Sequence, residues 1–372
     1  MKKAIFIIFL FICAVTGIFI LSNLEPKNTN LSLMEDNNSI LLQQQMTASI
    51  SEALSVKEEE NYNIEKIFYI SKENLADGLK SLEKNWQKID IVAPQIYFVN
   101  DDLTMSGGMS TELKQIIKEH NLKVMPLVVN MGFDKNIISK LLISKPAQDE
   151  IIKGMILLAK KNNYIGWQFD FEHIDYTQRD LFSSFVEKTY KEFQKNELIL
   201  SIAVVARQTD YEETDFFKNW SGVYDYERLA KSSDFISLMV YDDPNSTGPS
   251  ASIDFAEKCL QYVKDKIPAQ KLSFGIPLYF WEWNIDKNKR IKSGSFSDVL
   301  KIMENVQHLL KFDEKLGVAS LHYINDKENY KIWFENGQSF KTKLDIVKKN
   351  KLRGFSAWSL GGEDPRIWDE LN

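Results

Sequence analysis

The chemistry of this chain concentrates in one short segment, Ile165-Gly166-Trp167-Gln168-Phe169-Asp170-Phe171-Glu172. Side chains of an extended strand alternate between its two faces. Gly166, Gln168, Asp170 and Glu172 therefore share one face, and Ile165, Trp167, Phe169 and Phe171 share the other. Two carboxylates on one face repel each other and raise one pKa, and a carboxylic acid still protonated near neutral pH serves as a general acid. An inward ion pair would be the purely structural use of such acids, but that face of the segment carries no basic residue. Two other segments supply partners. In Phe235–Tyr241 the residues Ser237, Met239 and Tyr241 alternate against Ile236, Leu238 and Val240. In Phe355–Leu360 the residues Ser356 and Trp358 alternate against Phe355 and Ala357. A phenol and an indole are thus able to face the same hollow as the two acids.

Holding these faces together requires a closed sheet. The apolar runs Ile67–Ile70, Ile89–Phe98, Val124–Val129, Ile165–Glu172, Leu198–Val205, Phe235–Tyr241, Leu272–Tyr279 and Phe355–Leu360 read as eight strands. Most are separated by apolar residues at helical spacing, such as Leu75, Leu79, Leu82 and Trp86, or Phe182, Phe185, Val186 and Phe193. Strand and helix alternating eight times predict an α/β fold, a (β/α)8 TIM barrel, with active-site residues at the C-terminal ends of its strands. A doubly wound open sheet is the competing architecture; the lack of a GxGxxG after an early strand weighs against its dinucleotide-binding form. Between strands seven and eight the chain is too long for a simple crossover. It reads as a small α+β insertion, about residues 282–338, forming one wall of a cleft. The expected order is a helix Val299–Leu310, a hairpin of Val318–Tyr323 and Tyr330–Phe334 with a turn at Asn336-Gly337, and then a helix Phe340–Lys349.

Composition excludes several classes. The chain has 372 residues, 44% of them hydrophobic, and a net charge of −6 without a long basic run, so neither disorder nor nucleic-acid binding is expected. Two cysteines, Cys13 and Cys259, make no disulfide framework, and four scattered histidines without HExxH or CxxC make no zinc site. Lys2 and Lys3 precede the apolar run Ala4–Leu21. Its 18 residues, at ~1.5 Å each, just span a bilayer core. Residues 1–24 therefore read as an uncleaved membrane anchor, with a cleaved signal peptide as the alternative, and the chain is expected to act outside the cytoplasm. Residues 25–62, rich in Asn, Ser, Gln and Glu, read as a polar linker, and 63–372 as the barrel domain, expected to be a monomer. Cys259 is expected to be a buried thiol.

The segment ending in Glu172 resembles the Asp-Gly-x-Asp-x-Asp-x-Glu signature of glycoside hydrolase family 18, the chitinase-like barrels. Further blocks resemble that family in the same order over about residues 64–372. They are Leu238-Met239-Val240-Tyr241-Asp242, then Gly248-Pro249-Ser250-Ala251 with Phe274-Gly275-Ile276-Pro277-Leu278-Tyr279, and Gly354-Phe355-Ser356-Ala357-Trp358. The resemblance implies retaining, substrate-assisted cleavage of β-1,4-linked N-acetylglucosamine glycans, either chitin-like or peptidoglycan, with no cofactor and no metal. Glu172 would be the general acid. The substrate's 2-acetamido oxygen would be the nucleophile, with Asp170 on its N–H and Tyr241 on its oxygen. Asp242 would bind a sugar hydroxyl, and Trp358 would floor the sugar before the cut. Gln168 and Met239 on the same faces are candidate substrate contacts, as are Tyr97, Asn130 and Arg207, which follow strands two, three and five. Tyr279, Trp281 and Trp283 either stack along the cleft or pack the insertion on the barrel. His173 either tunes Glu172 or faces outward. Two family acids are replaced, by Ile165 and Gln168. Gln168 is expected to donate a hydrogen bond to Asp170 and leave it more permanently ionised. The same departures keep open an inactive carbohydrate-binding relative, and the insertion leaves room for a tethered protein-binding scaffold.

Overall fold

Eight parallel strands close on themselves in the computed structural model, which describes residues 62–371. They are Glu65–Ile70, Ile91–Val99, Lys123–Val124 continued by Leu127–Asn130, Gly166–Phe169, Ile199–Val205, Phe235–Met239, Leu272–Pro277 and Gly354–Trp358. The first strand pairs with both the eighth and the second, which completes the ring. A short strand, Met105–Gly107, adds antiparallel to the second. The fold is a TIM barrel, as the alternation of elements predicts.

Helices wrap the outside because each carries an apolar stripe matched to the outward face of the strands. The third loop is followed by Lys135–Ile143 and Lys145–Asn162, the fourth by Arg179–Gln194 and the sixth by Ile253–Val263. Ser144 caps the second of these at the Ala147 N–H, with Pro146 in its first turn; Ser252 caps the last at the Phe255 N–H. The outer core joins Trp167, Phe169 and Phe171 to Phe182, Phe185 and Val186, so the apolar face of the chemical segment lies under its helix. Cys259 is buried there as a free thiol.

Inside the ring the layers differ. Ile67, Tyr69, Ile91, Ala93, Met125, Leu127 and Phe235 form an apolar plug. Above it the register places Gln168 opposite Ser201, Ser237 opposite Ser273, and Gly275 opposite Ser356. This polar layer is buried and carries the acids on its upper side.

The insertion is a five-stranded antiparallel sheet, ordered Lys289–Gly294, Phe280–Asn284, Glu328–Phe334, Val318–Asn325 and His308–Asp313. Helix Phe296–Asn305 packs on one of its faces through Val299 against Phe280, Leu321, Ile332 and Phe334. The structure departs from expectation at two places. Residues 308–313 are a strand rather than the end of a helix, because Val306 turns extended and His308–Asp313 finds a complete partner in Val318–Tyr323. The hairpin turn lies at Asp326 and Lys327, both with positive φ, whereas Asn336 is the cap of helix Gly337–Lys349, accepting from the Ser339 N–H. The expected anchor at Ala4–Leu21 and nearly all of the linker lie outside the described residues. Among the described residues no helix is long and apolar enough to cross a membrane.

Candidate active site

Strand four ends at Phe169, and Asp170 and Glu172 stand just past its ladder, at the barrel's C-terminal mouth. Their backbone is held by three elements. The Asp170 N–H donates to Val128 O at 3.0 Å. Asn130, fully buried at the end of strand three, accepts from the Glu172 N–H at 3.2 Å and donates to its carbonyl at 3.1 Å. Tyr224 donates its hydroxyl to Phe171 O at 2.9 Å. The acid-bearing turn is thus fixed from neighbouring strands and loops.

Asp170 is 4% exposed, and Gln95 Nε2 donates to its Oδ2 at 3.4 Å. Burial raises its pKa to about 6, against the opposing hydrogen bonds from Gln95 and Glu172. Glu172 is half-buried, with its carboxyl hydrogen-bonded to Asp170. Burial first, then the charges of Asp170 and Asp242, hold that carboxyl well above the usual range. Both shifts point one way. Glu172, where like charge adds to burial, is the member of the pair that holds a proton more readily.

Tyr241 leans over this pair from the end of strand six, its ring 6.2 Å from that of Tyr279 in an edge-on arrangement. Burial, then nearby Tyr69 and Tyr279 and the two aspartates, push its hydroxyl far up, so it stays a phenol. Gly275 makes its position possible: a Cβ there would sit 2.9 Å from Tyr241 Cε1 and 2.5 Å from Leu238 O. Asp242 follows with φ of +57°, a left-handed backbone secured by Ser250. Ser250 Oγ accepts from the Asp242 N–H at 2.9 Å and donates to Asp242 Oδ1 at 3.1 Å, while Tyr279 donates to that oxygen at 2.5 Å. Trp358 is half-buried on strand eight, its ring 5.4 Å from that of Tyr69. Met239 is half-buried on the same interior face. Glu172, Asp170, Tyr241, Asp242, Trp358 and Met239 are therefore gathered round one hollow.

The other expected residues stand elsewhere. Gln168 lies one layer below Asp170 and spends its amide donors on Ser201 Oγ at 2.8 Å and Ser237 Oγ at 2.9 Å. The expected bond to Asp170 is not made; Gln95 makes it, and burial leaves Asp170 easier to protonate rather than more permanently charged. Tyr97 points outward because strand two bulges between Gln95 and Tyr97. It bonds Tyr164 OH at 3.0 Å and packs on Trp167. Asn130 is committed to the Glu172 backbone. Arg207 is 6% exposed, donating to Ser221 O and Tyr224 O and to Asp210, with its guanidinium 4.4 Å from the Tyr226 ring centre. His173 stacks on Trp220 at 4.7 Å and meets Phe133 O, away from the acids. Trp281 and Trp283 are buried with Trp333 and Val318, and Trp283 Nε1 donates to Gly248 O at 2.7 Å. They pack the insertion onto the loop that follows strand six. The sequence reading passed over Gln95, Ser250 and Tyr69. Gln95 was legible: it shares a face with Ile91 and Ala93, inward by the same alternation that exposed Asp170.

A closed β/α barrel with two adjacent carboxyls of raised pKa at the C-terminal ends of its strands, and with aromatic rings around them, is suited to glycoside hydrolysis. The chain belongs to the glycosyl hydrolases family 18, whose family model matches residues 52–364. It is 25% identical over 300 residues to an uncharacterized glycosylase of Bacillus subtilis, YvbX, covering 78% of this chain and 86% of that one. It is 23% identical over 276 residues to the cortical fragment-lytic enzyme of the same organism, covering 71% of this chain and 63% of the relative. Among solved structures, the spore cortex-lytic enzyme SleL of Bacillus megaterium superposes with a TM-score of 0.74 at 22% identity, over 83% of this chain and 73% of its own. A chitinase of Chromobacterium violaceum superposes with the same score at 21% identity, over 83% and 98%. At these identities the superpositions establish the fold alone.

Proposed function

We propose that the protein cleaves β-1,4-linked N-acetylglucosamine-containing glycans with retention of configuration, using the substrate's own acetamido group. The observation that carries this reading is the adjacent pair of carboxyls, Glu172 and Asp170, placed just past strand four at the barrel mouth, where burial raises both. Glu172 donates its proton to the glycosidic oxygen. As the bond breaks, the 2-acetamido oxygen attacks the anomeric carbon and forms an oxazolinium ion, so the protein needs no second nucleophilic carboxylate. Asp170 accepts the acetamido N–H and offsets the positive charge that builds there. The Tyr241 hydroxyl, which has no hydrogen-bond partner among the described residues, meets the acetamido oxygen and orients it. Trp358 lies under the sugar ring, and Asp242 bonds one of its hydroxyls. Water then opens the oxazolinium from the face the leaving group vacated, with Glu172, now ionised, taking its proton. Relatives named as spore cortex-lytic enzymes and as chitinases support two polymers, peptidoglycan and chitin-like chains. We place the activity outside the cytoplasm, where both are found.

The test is hydrolysis of N-acetylchitooligosaccharides and of peptidoglycan glycan by the wild type and by Glu172→Gln. Loss of roughly 10²–10⁴-fold in kcat with binding retained is the expected result for removal of a general acid. Binding by both proteins with hydrolysis by neither would favour the carbohydrate-binding alternative, for which the replaced family acids at Ile165 and Gln168 speak. Substrates carrying a free amine at the cleaved sugar should resist; efficient cleavage of them would overturn acetamido assistance.

A further inference from the structure

The insertion sheet has two unlike faces. One is sealed by helix Phe296–Asn305. The other carries Trp281, Trp283 and Trp333 and abuts the loop that holds Asp242: Trp333 lies against Gly248, and Trp283 bonds its carbonyl. Trp281 and Trp333 are directly opposite in the antiparallel register, as are Trp283 and Lys331. A cation rests on each of the two opposed indoles. The Arg290 guanidinium lies 4.0 Å from the ring centre of Trp281, and Lys331 Nζ lies 3.8 Å from that of Trp333.

These cations differ from their neighbours. On the same edge Lys287 pairs with Glu328 at 2.6 Å and Lys292 with Glu282 at 3.3 Å. Arg290 and Lys331 make no ion pair among the described residues. Arg290 is exposed and lies over Trp281, two residues beyond Tyr279, whose hydroxyl bonds Asp242; its charge is felt by both. A planar guanidinium held on an indole has little freedom left to lose and still offers its N–H fork edge-on to a carboxylate. A neutral homopolymer of N-acetylglucosamine offers such a group only hydroxyl and amide oxygens, without a charge-assisted partner. A glycan bearing a carboxylate on a sugar substituent does.

We propose that Arg290 recognises a carboxylate carried on a sugar substituent of the glycan, so that the cleft prefers an anionic, peptidoglycan-type strand to a neutral chitin-type one. The proposal rests on the hydrolase reading above and names its substrate class. Arg290 is the specificity residue, and the tryptophans are the platform that holds it.

The experiment compares two forms of one soluble peptidoglycan glycan, with its carboxylates free and with them converted to methyl esters, and adds an N-acetylchitooligosaccharide as a neutral reference. For the wild type, kcat/KM should favour the free-acid form by about five- to tenfold, the range of a hydrogen bond to a partly solvated charged group. The preference should sit in KM and shrink as salt is raised. Arg290→Gln should abolish most of the preference, Arg290→Glu should reverse it, and Arg290→Lys should restore part of it. Lys331→Gln, a control on the neighbouring indole, should leave most of it intact. Equal kcat/KM for acid and ester forms in the wild type would overturn the proposal. So would an Arg290→Gln variant that loses kcat equally on all three substrates, because Arg290 would then only offset the charge of Asp242. Failure of the wild type to cleave any of the three would instead count against the hydrolase reading, and the two failures are distinguishable.

Discussion

Replacing Asn130 by alanine separates two roles for this residue, since its place after strand three suits a substrate contact and the structure makes it a brace. The side chain is fully buried and joins three backbone groups: it accepts from the Glu172 N–H at 3.2 Å and donates to Glu172 O and to Asp134 O, both at 3.1 Å. Asn130→Ala leaves the Glu172 N–H and C=O unpaired, whereas Asp134 O keeps the Ile137 N–H. At the low end of the cost of an unsatisfied buried group, ~1 kcal/mol each, the fold loses roughly 2 kcal/mol. For a domain of this size that corresponds to a fall in Tm of about 3 °C. The larger consequence is for geometry. Glu172 stands beyond the last ladder bond of strand four, so Asn130 is a main restraint on where its carboxyl points. A displacement of ~1 Å in a catalytic group costs about 10²-fold in rate. The expected outcome, read by steady-state kinetics on N-acetylchitooligosaccharides beside thermal unfolding of the same preparation, is a fall in kcat of that order with KM nearly unchanged. A variant that stays folded and keeps its kcat while KM rises would refute the bracing argument and return Asn130 to the substrate.

Three further perturbations follow from the same geometry. Asp170 has a folded pKa of about 6, above the ordinary aspartate range, raised mainly by burial. A raised carboxyl favours the fold only while protonated, so its contribution is fully present below about pH 4 and is lost as the pH climbs through 6. Asp170→Asn should therefore raise stability at pH 8 by on the order of 2–3 kcal/mol, leave it nearly unchanged at pH 4, and abolish activity; thermal melts at both pH values check this. In Gly275→Ala the new methyl would meet Leu238 O at 2.5 Å and Tyr241 Cε1 at 2.9 Å. Overpacking of that kind should cost about 1–3 kcal/mol, and activity should drop further than stability because Tyr241 is displaced. In Trp283→Phe the bond to Gly248 O disappears. Hydrogen exchange in residues 242–250 should quicken while that of the barrel strands is unchanged, as expected if the insertion holds that loop in place.

The barrel was legible because its two apolar layers carry different signals. Outward residues such as Trp167, Phe169 and Phe171 alternate with inward ones, and helical spacing recurs after most strands, so both periods were present in the chain itself. The insertion was harder to read. His308–Asp313 continues an apolar pattern from the helix before it, and only its pairing with Val318–Tyr323, a tertiary event, turns it into a strand. Asn-Gly at 336–337 has the composition of a hairpin turn, yet the same Asn side chain makes a helix cap once Ser339 follows it.

At the site, the limit of the sequence is the limit of strict alternation. It places Asp170, Glu172, Tyr241 and Trp358 on interior faces, where the structure gathers them, because the alternation persists beyond the last residues of strands four and six, Phe169 and Met239, and strand eight itself reaches Trp358. It fails at Tyr97, since one bulged residue in strand two exchanges the faces beyond Gln95 and leaves Gln95, not Tyr97, over the acids. It fails in a second way at Gln168. Its face is read correctly, but the choice of partner depends on which neighbours are nearer, and Ser201 and Ser237 on strands five and six lie within reach of its amide. Asn130 and Arg207 show a third limit. Both end strands at the catalytic rim, and their polarity marks them as functional, but at that rim buried backbone carbonyls and N–H groups also need partners. The structure spends both side chains on that need: Asn130 on Glu172 directly, and Arg207 on Tyr224 O, whose own hydroxyl holds Phe171 O. A polar residue at the mouth of a barrel is thus ambiguous between touching the substrate and holding what touches it, and which of the two it does depends on whether a backbone group passes close beneath it.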